Sequence, residues 1–297
     1  MAIALCVCAA ALLPACGLDQ QAVVLMTDPH YRARVVSTNR DGITVPDGLL
    51  WRHGKLFIAD EGGSAVRVWN GAAGLQTLSE ASGGLQSPED LVVDDAGNIF
   101  FTDDAAGGVK QIAPDGKTTV LAGPDKGLVS TEGIALTPSG AILVGETTRH
   151  QVLRVERNGD VSVFVGPGAG IRKAESMAFD ERGNLYIADN QDQVLYLLTP
   201  DMKLRRVLEK LENFSPETIW YAGGTLFITD SIAGRLSRYT PEGGLQTVAV
   251  FAGTLAKVNG VTTDDQGAIC LSIQTDLKRG IGYIVKLEPE PPLAGRN

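Results

Sequence analysis

The chain has 297 residues, 44% of them apolar, with 35 glycines and only 6% aromatics. This is enough apolar material for a buried core, and it favours many short strands joined by tight turns over long helices. A formal net charge of −9 excludes a nucleic-acid footprint; any charged partner is a cationic one, metal ions included.

Residues 1–15, MAIALCVCAAALLPA, are apolar and uncharged. The run is shorter than the ~20 residues that span a bilayer and predicts a signal peptide. The junction LPAC, Leu13–Cys16, is similar to the bacterial lipobox, whose cysteine is lipidated and becomes the mature N-terminus. The expectation is a signal over 1–15, a lipid on Cys16, a linker over 16–30, and a protein exported to the cell envelope or, with a plain signal, secreted. The membrane is then a partner through the lipid anchor alone. The first Lys or Arg is Arg32, so the usual basic start is missing, which fits a start lying upstream or a truncated chain. Cys6 and Cys8 leave with the signal. Cys270 lies in an apolar run and reads as a small buried hydrophobe, so the mature chain has no disulfide pair.

From Gly54 onward one sentence repeats: GKLFIAD ending at Asp60, GNIFFTD at Asp103, GAILVGE at Glu146, GNLYIAD at Asp189 and GTLFITD at Asp230. A sixth copy, GAICLSI ending at Ile273, keeps the pattern without the acid. The spacings are 43, 43, 43, 41 and 43 residues. Each unit reads as four short strands; in the second they are LVVDD, NIFFTD, GVKQIA and TTVLAG, separated by Gly/Asp/Pro turns. Four strands per ~43 residues, repeated radially, predict a β-propeller blade. The fold class is therefore all-β, a six-bladed propeller over 31–290 with a tail at 291–297. The last unit lacks its fourth strand, and a spare strand, Ala33–Thr38, precedes the first unit. The N-terminal strand is expected to complete the last blade.

Seven or eight residues before each tag glycine stands a polar residue: Asp47, Glu89, Glu132, Glu175, Glu217 and Asn259. Each is expected just ahead of the innermost strand of its blade, so pseudo-symmetry brings all six to one rim of the central channel. Two carboxylates 5 Å apart repel by roughly 3 kcal/mol at an effective dielectric of 20. Lys and Arg are absent from the six positions. A hard cation with oxygen ligands balances such a ring, and Ca²⁺ accepts irregular carboxylate cages best. Taken singly, any of these acids could instead cap a turn. The acids that end the tags are read that way, as acceptors for the following turn. His30, His53 and His150 share no repeat position and are read as surface residues; no nucleophile elbow or phosphate loop is present.

Repeats such as GNLYIADNQDQVLYLL, Gly183–Leu198, resemble the SMP-30/gluconolactonase/LRE-like superfamily, with NHL-repeat propellers close by, over about residues 31–288. The resemblance implies one divalent cation in the channel. DGLLW matches the first-blade motif and puts Asp47 at a ligand position; ESMAFD does so for Glu175 and PETIW for Glu217. Glu132 falls where the family has a substrate-facing Asn. Each position keeps an oxygen but changes residue type, and the family's substrate-contacting Arg is replaced by Ser130. The candidate metal ligands are thus Asp47, Glu132, Glu175 and Glu217. Glu217 also stands at the position of the family's base, and Glu89 and Asn259 would shape the substrate pocket. The expected function is divalent-metal-dependent hydrolysis of a small ester or lactone. The alternative is a non-enzymatic surface propeller that binds a ligand or protein partner and uses Ca²⁺ structurally; a lyase on the same fold ranks last, for lack of a histidine in the ring.

Overall fold

The computed structural model describes residues 10–12, 23–26, 28–209, 211–252, 257–276 and 281–290. Cys16 and the tail at 291–297 lie outside them, as does most of the 1–15 segment. Six antiparallel sheets stand in a ring and form a six-bladed β-propeller. Among the described residues there is no α-helix, only short 3-10 turns. The inner strands are Pro46–Arg52, Pro88–Val93, Thr131–Leu136, Ala174–Phe179, Pro216–Ala222 and Lys257–Thr263. Blade 2 shows the common plan: Pro88–Val93, Ile99–Asp103, Val109–Ile112 and Thr118–Ala122, each paired with the next.

Tyr31–Thr38 pairs antiparallel with Ile281–Pro289 and supplies the fourth strand of blade 6, as the spare N-terminal strand predicted. Two shorter strands were not anticipated. Val23–Met26 pairs with the outer strand of blade 5, Gly244–Ala252, and Ala10–Leu12 pairs with Val23–Met26 in turn.

The apolar core is not one body but six slabs, one between each pair of neighbouring blades. Strand alternation explains this. In blade 2, Ile99 and Phe101 pack against Leu50, Phe57 and Val66 of blade 1. Phe100, between them in sequence, packs against Ile134, Val144 and Leu153 of blade 3. Both faces of each middle strand are therefore buried, which is why hydrophobic alternation along these strands is only partial. The slab between blades 6 and 1 contains Cys270, 2% exposed, beside Ile43, Leu49 and Ile284. Burial pushes its thiol pKa up to about 12, so it is an inert packing residue.

Candidate functional site at the hub

Each inner strand breaks its pairing register at the same place. The breaks fall between Pro46 and Leu49, Pro88 and Leu91, Thr131 and Ile134, Ala174 and Ser176, Pro216 and Ile219, and Val258 and Val261. Every break encloses one of the six ring residues. They thus lie inside the inner strands, in bulges, and not ahead of them as the sequence suggested. A bulge adds an unpaired residue and re-aims its side chain; here it turns one oxygen-bearing side chain per blade toward the axis. Proline opens three of these strands, at Pro46, Pro88 and Pro216, where a missing N–H is tolerated.

The acids that end the tags hold these bulges in place. Asp60 accepts hydrogen bonds from Val45 N at 2.9 Å and Thr44 Oγ1 at 2.8 Å. Asp103 accepts from Ser87 N at 2.9 Å, Asp189 from Arg172 N at 2.7 Å, and Asp230 from Ser215 N at 3.3 Å. All four are essentially inaccessible to solvent. Each clamps the loop that leads into its own inner strand, and Asp103, Asp189 and Asp230 also accept from the following turn as expected, from Ala106 N, Asp192 N and Ala233 N.

The ring positions do meet. Asn259 Nδ2 donates to Asp47 Oδ2 at 3.2 Å. Carboxylate oxygens of Asp47, Glu61 and Glu89 all lie within 4.8 Å of one another. Ser87 Oγ lies 3.2 Å from both Glu61 Oε1 and Glu89 Oε1. On the other side of the hub, Lys173 Nζ is 3.0 Å from Glu132 Oε1 and 2.9 Å from Glu175 Oε2. Glu217 Oε2 accepts from Asn190 Nδ2 at 3.3 Å.

Sequence reasoning missed two parts of this. Lys173 is not a ring residue, but it stands two places before one and reaches back between two. Glu61 belongs to a second polar tier, the residue directly after each tag: Glu61, Asp104, Thr147, Asn190, Ser231 and Gln274. That tier was legible, since the same repeat exposes it.

Burial drives the electrostatics. It raises the Asp47 carboxyl well above its ordinary pKa, with Glu217, Glu61, Glu132 and Asp90 adding repulsion. Glu89 is raised by burial and then by Asp47 and Glu61. Glu175 is raised by burial, Glu132 and Glu217, against the pull of Lys173. Glu132 is raised by burial, again opposed by Lys173. For Lys173 burial opposes the charge, but the two glutamates prevail and raise its pKa. Asp90, one residue beyond the ring, is pushed up to about 7 by burial, against hydrogen bonds from Leu91 N and Ile134 N.

Past the ring the channel opens into a cavity of about 720 Å³ toward the opposite face. Its walls are the later parts of the inner strands, including 49–53, 90–93, 134–136, 176–179 and 218–221, and none of the six ring residues lines it. The expected substrate-pocket residues Glu89 and Asn259 therefore belong to the acidic rim and not to this cavity.

With this geometry the chain can be set beside known structures. A gluconolactonase from Xanthomonas campestris superposes with a TM-score of 0.70 at 16% identity, covering 95% of this chain and 99% of that one. The fold is that of the gluconolactonase-like propellers. Regucalcin, a calcium-binding protein from Agrobacterium tumefaciens, shares this propeller fold with a TM-score of 0.63 at 13% identity, over 84% of this chain and 92% of its own. So does virginiamycin B lyase from Staphylococcus aureus, in an inactive variant that has lost one histidine, with a TM-score of 0.68 at 17% identity over 88% and 100% of the two chains. No family model and no curated protein matches the sequence. None of the six hub positions of this propeller is a histidine.

Proposed function

We propose that this propeller is a divalent-cation-dependent hydrolase of the lactonase type, acting at the acidic end of its channel on a small ester or lactone. The observation that carries it is the convergence of Asp47, Glu61 and Glu89 on one point of the rim. Two features fit a hard cation there. The donors are carboxylate oxygens, and burial and mutual repulsion hold those of Asp47 and Glu89 above their ordinary pKa. The buried amide oxygen of Asn259, whose nitrogen bonds Asp47, has no hydrogen-bond partner among the described residues. Of the ligands expected from sequence, Asp47 belongs to this cluster, whereas Glu132 and Glu175 are ion-paired with Lys173.

A cation held by these carboxylates, Ca²⁺ by preference, supplies Lewis acidity toward an ester carbonyl. The chain's own residues do the rest. Glu217, half-buried at the rim and steered by Asn190, takes the proton of the attacking water. Lys173 fixes Glu132 and Glu175 across the opening. Glu89 and Asn259 shape the rim around the substrate.

The test is hydrolysis of a panel of lactones by purified protein, with and without chelator. Turnover is expected to vanish with chelator and to fall at least a hundredfold in Glu217→Gln, which keeps the calcium-induced rise in melting temperature. Lack of chelator-sensitive turnover on every lactone would overturn the catalytic reading. It would favour the second one, a binding platform with a structural cation, for which the pairing of two of the five ring carboxylates with Lys173 already speaks. Either reading goes with export and a lipid on Cys16, supported by the LPAC junction; incorporation of labelled palmitate, lost in Cys16→Ser, checks it.

A further inference from the structure

The cavity on the far side of the hub is absorbed by neither reading. Its volume falls in the range of small-molecule sites. Trp51, Trp220, Tyr221, Phe179 and Met177 stand on its walls. Trp220 is fixed by a hydrogen bond from its Nε1 to Thr263 Oγ1 at 2.9 Å, and Trp51 by one from its Nε1 to Asp265 Oδ2 at 3.1 Å. Tyr221 stacks on Tyr186 with ring centroids 6.3 Å apart. The aromatic walls are thus braced from behind.

Among the described residues, the charged side chains around the cavity are ion-paired except two carboxylates: the exposed Asp265, which accepts from Trp51 Nε1, and Asp90 at the inner end. Arg52 at the mouth is ion-paired with Asp95. Asp264 is 2.5 Å from Lys286 Nζ. Asp90 has no cationic partner: its Oδ1 accepts from Leu91 N at 2.8 Å and its Oδ2 from Ile134 N at 3.5 Å. The equivalent position in the other blades is Gly48, Gly133, Ser176, Thr218 or Gly260, so Asp90 is the single ionisable residue of its tier. An uncompensated carboxylate at the end of a cavity walled by electron-rich rings attracts a positive charge carried on an apolar body.

The geometry points to a second ligand site here, for a small organic ammonium ion whose cationic head meets Asp90 and the Trp220 ring and whose apolar part fills the outer cavity, the Trp51 ring being already covered by Lys286 Nζ at 5.5 Å. It is separate from the metal-binding rim, opens on the opposite face of the ring, and does not depend on catalysis at the hub.

The experiment is calorimetric titration of the purified chain, kept in chelator so that the rim reading plays no part. The probes are benzyltrimethylammonium and its uncharged isostere neopentylbenzene. The cation is expected to bind at least tenfold more tightly than the isostere. Asp90→Asn should erase that preference while leaving the isostere's affinity alone. Trp220→Leu should weaken the cation at least fivefold, and this decides the matter if Asp90→Asn does not fold. Equal affinity for the two probes, undiminished cation binding in the folded variants, or a loss in Glu61→Gln as large as in Asp90→Asn would each overturn the proposal; the last would put the cation at the acidic rim.

Discussion

Lys173 sets its Nζ 3.0 Å from Glu132 Oε1, a contact that crosses from the loop before blade 4 to the inner strand of blade 3. With Glu175 at 2.9 Å on its other side, one ammonium serves two carboxylates. Its removal strands both. Breaking a buried ion pair costs about 3–5 kcal/mol, and the 28% exposure of the Lys173 side chain discounts that. Lys173→Met should lower stability by about 2–3 kcal/mol in urea unfolding with chelator present. Saturating calcium should recover part of the loss, because a cation then has two more carboxylates to neutralise.

The hub also sets a pH dependence. Burial and repulsion raise Asp47, Glu89 and Glu175 above their ordinary pKa. A raised acid holds its proton in the folded state at a pH where the unfolded chain has already released it. Stability therefore falls as pH climbs from the ordinary carboxylate range toward the raised value. Asp90 adds a decline between its ordinary value of 3.8 and about 7. The melting temperature of chelator-treated protein should drop steadily from pH 5 to pH 8. The increment given by calcium should grow over the same range, since calcium displaces protons from these groups; an increment that shrinks with pH would contradict a carboxylate site.

Gly48 and Gly133 exist to let inner strands approach. A Cβ on Gly48 would lie 2.6 Å from Glu89 O and 2.7 Å from Asp90 Cα; on Gly133 it would lie 2.7 Å from Glu175 O. Backbone on the other side cannot swing away as a side chain can. Gly133→Ala should cost about 2–3 kcal/mol and widen the gap between blades 3 and 4, so calcium binding should weaken along with stability. Gly140→Ala, at φ +85° but in open space, should cost about 1 kcal/mol and spare the hub.

The clamp acids should rank by their partners. Asp103 is fully buried, binds Ser87 N and Gln86 N, and lies 2.5 Å from Lys110 Nζ. Asp189 accepts from the backbone of Arg172 and Asp192. Asp103→Ala leaves a buried ammonium as well as orphaned N–H groups, and should cost roughly 2 kcal/mol more than Asp189→Ala in denaturant melts.

The repeat was legible because a propeller writes each blade nearly alike: the tag acids recur every 41 or 43 residues, and their clamping role follows from their place at a strand end. The ring of Asp47, Glu89, Glu132, Glu175, Glu217 and Asn259 was legible for the same reason. Its bulges were not, since a register break leaves no mark in a strand whose residues are apolar on both faces. Lys173 escaped because it acts across blades: its own repeat position is Val45, Ser87, Ser130, Ser215 or Lys257 elsewhere, and nothing local shows how far its side chain extends. Asp90 was visible as an odd acid beside Glu89, but its isolation emerges only when the other five blades place Gly, Ser or Thr at that level.

Tyr31–Thr38 zips onto Ile281–Pro289 to complete blade 6, and from that blade to blade 1 Ser272 Oγ donates to Asp47 O at 2.6 Å while Asn259 reaches the Asp47 side chain. At the boundary between blades 6 and 1 the neighbouring rim residues, Asn259 and Asp47, are 212 positions apart in the chain. During synthesis the first blade must wait, with its slab against blade 6 uncovered, until the final hairpin leaves the ribosome. Cutting the chain anywhere between blades would leave the same strands to reassemble, whereas removing Tyr31–Thr38 or Ile281–Pro289 would open the ring in the blade that holds Asp47 from one side.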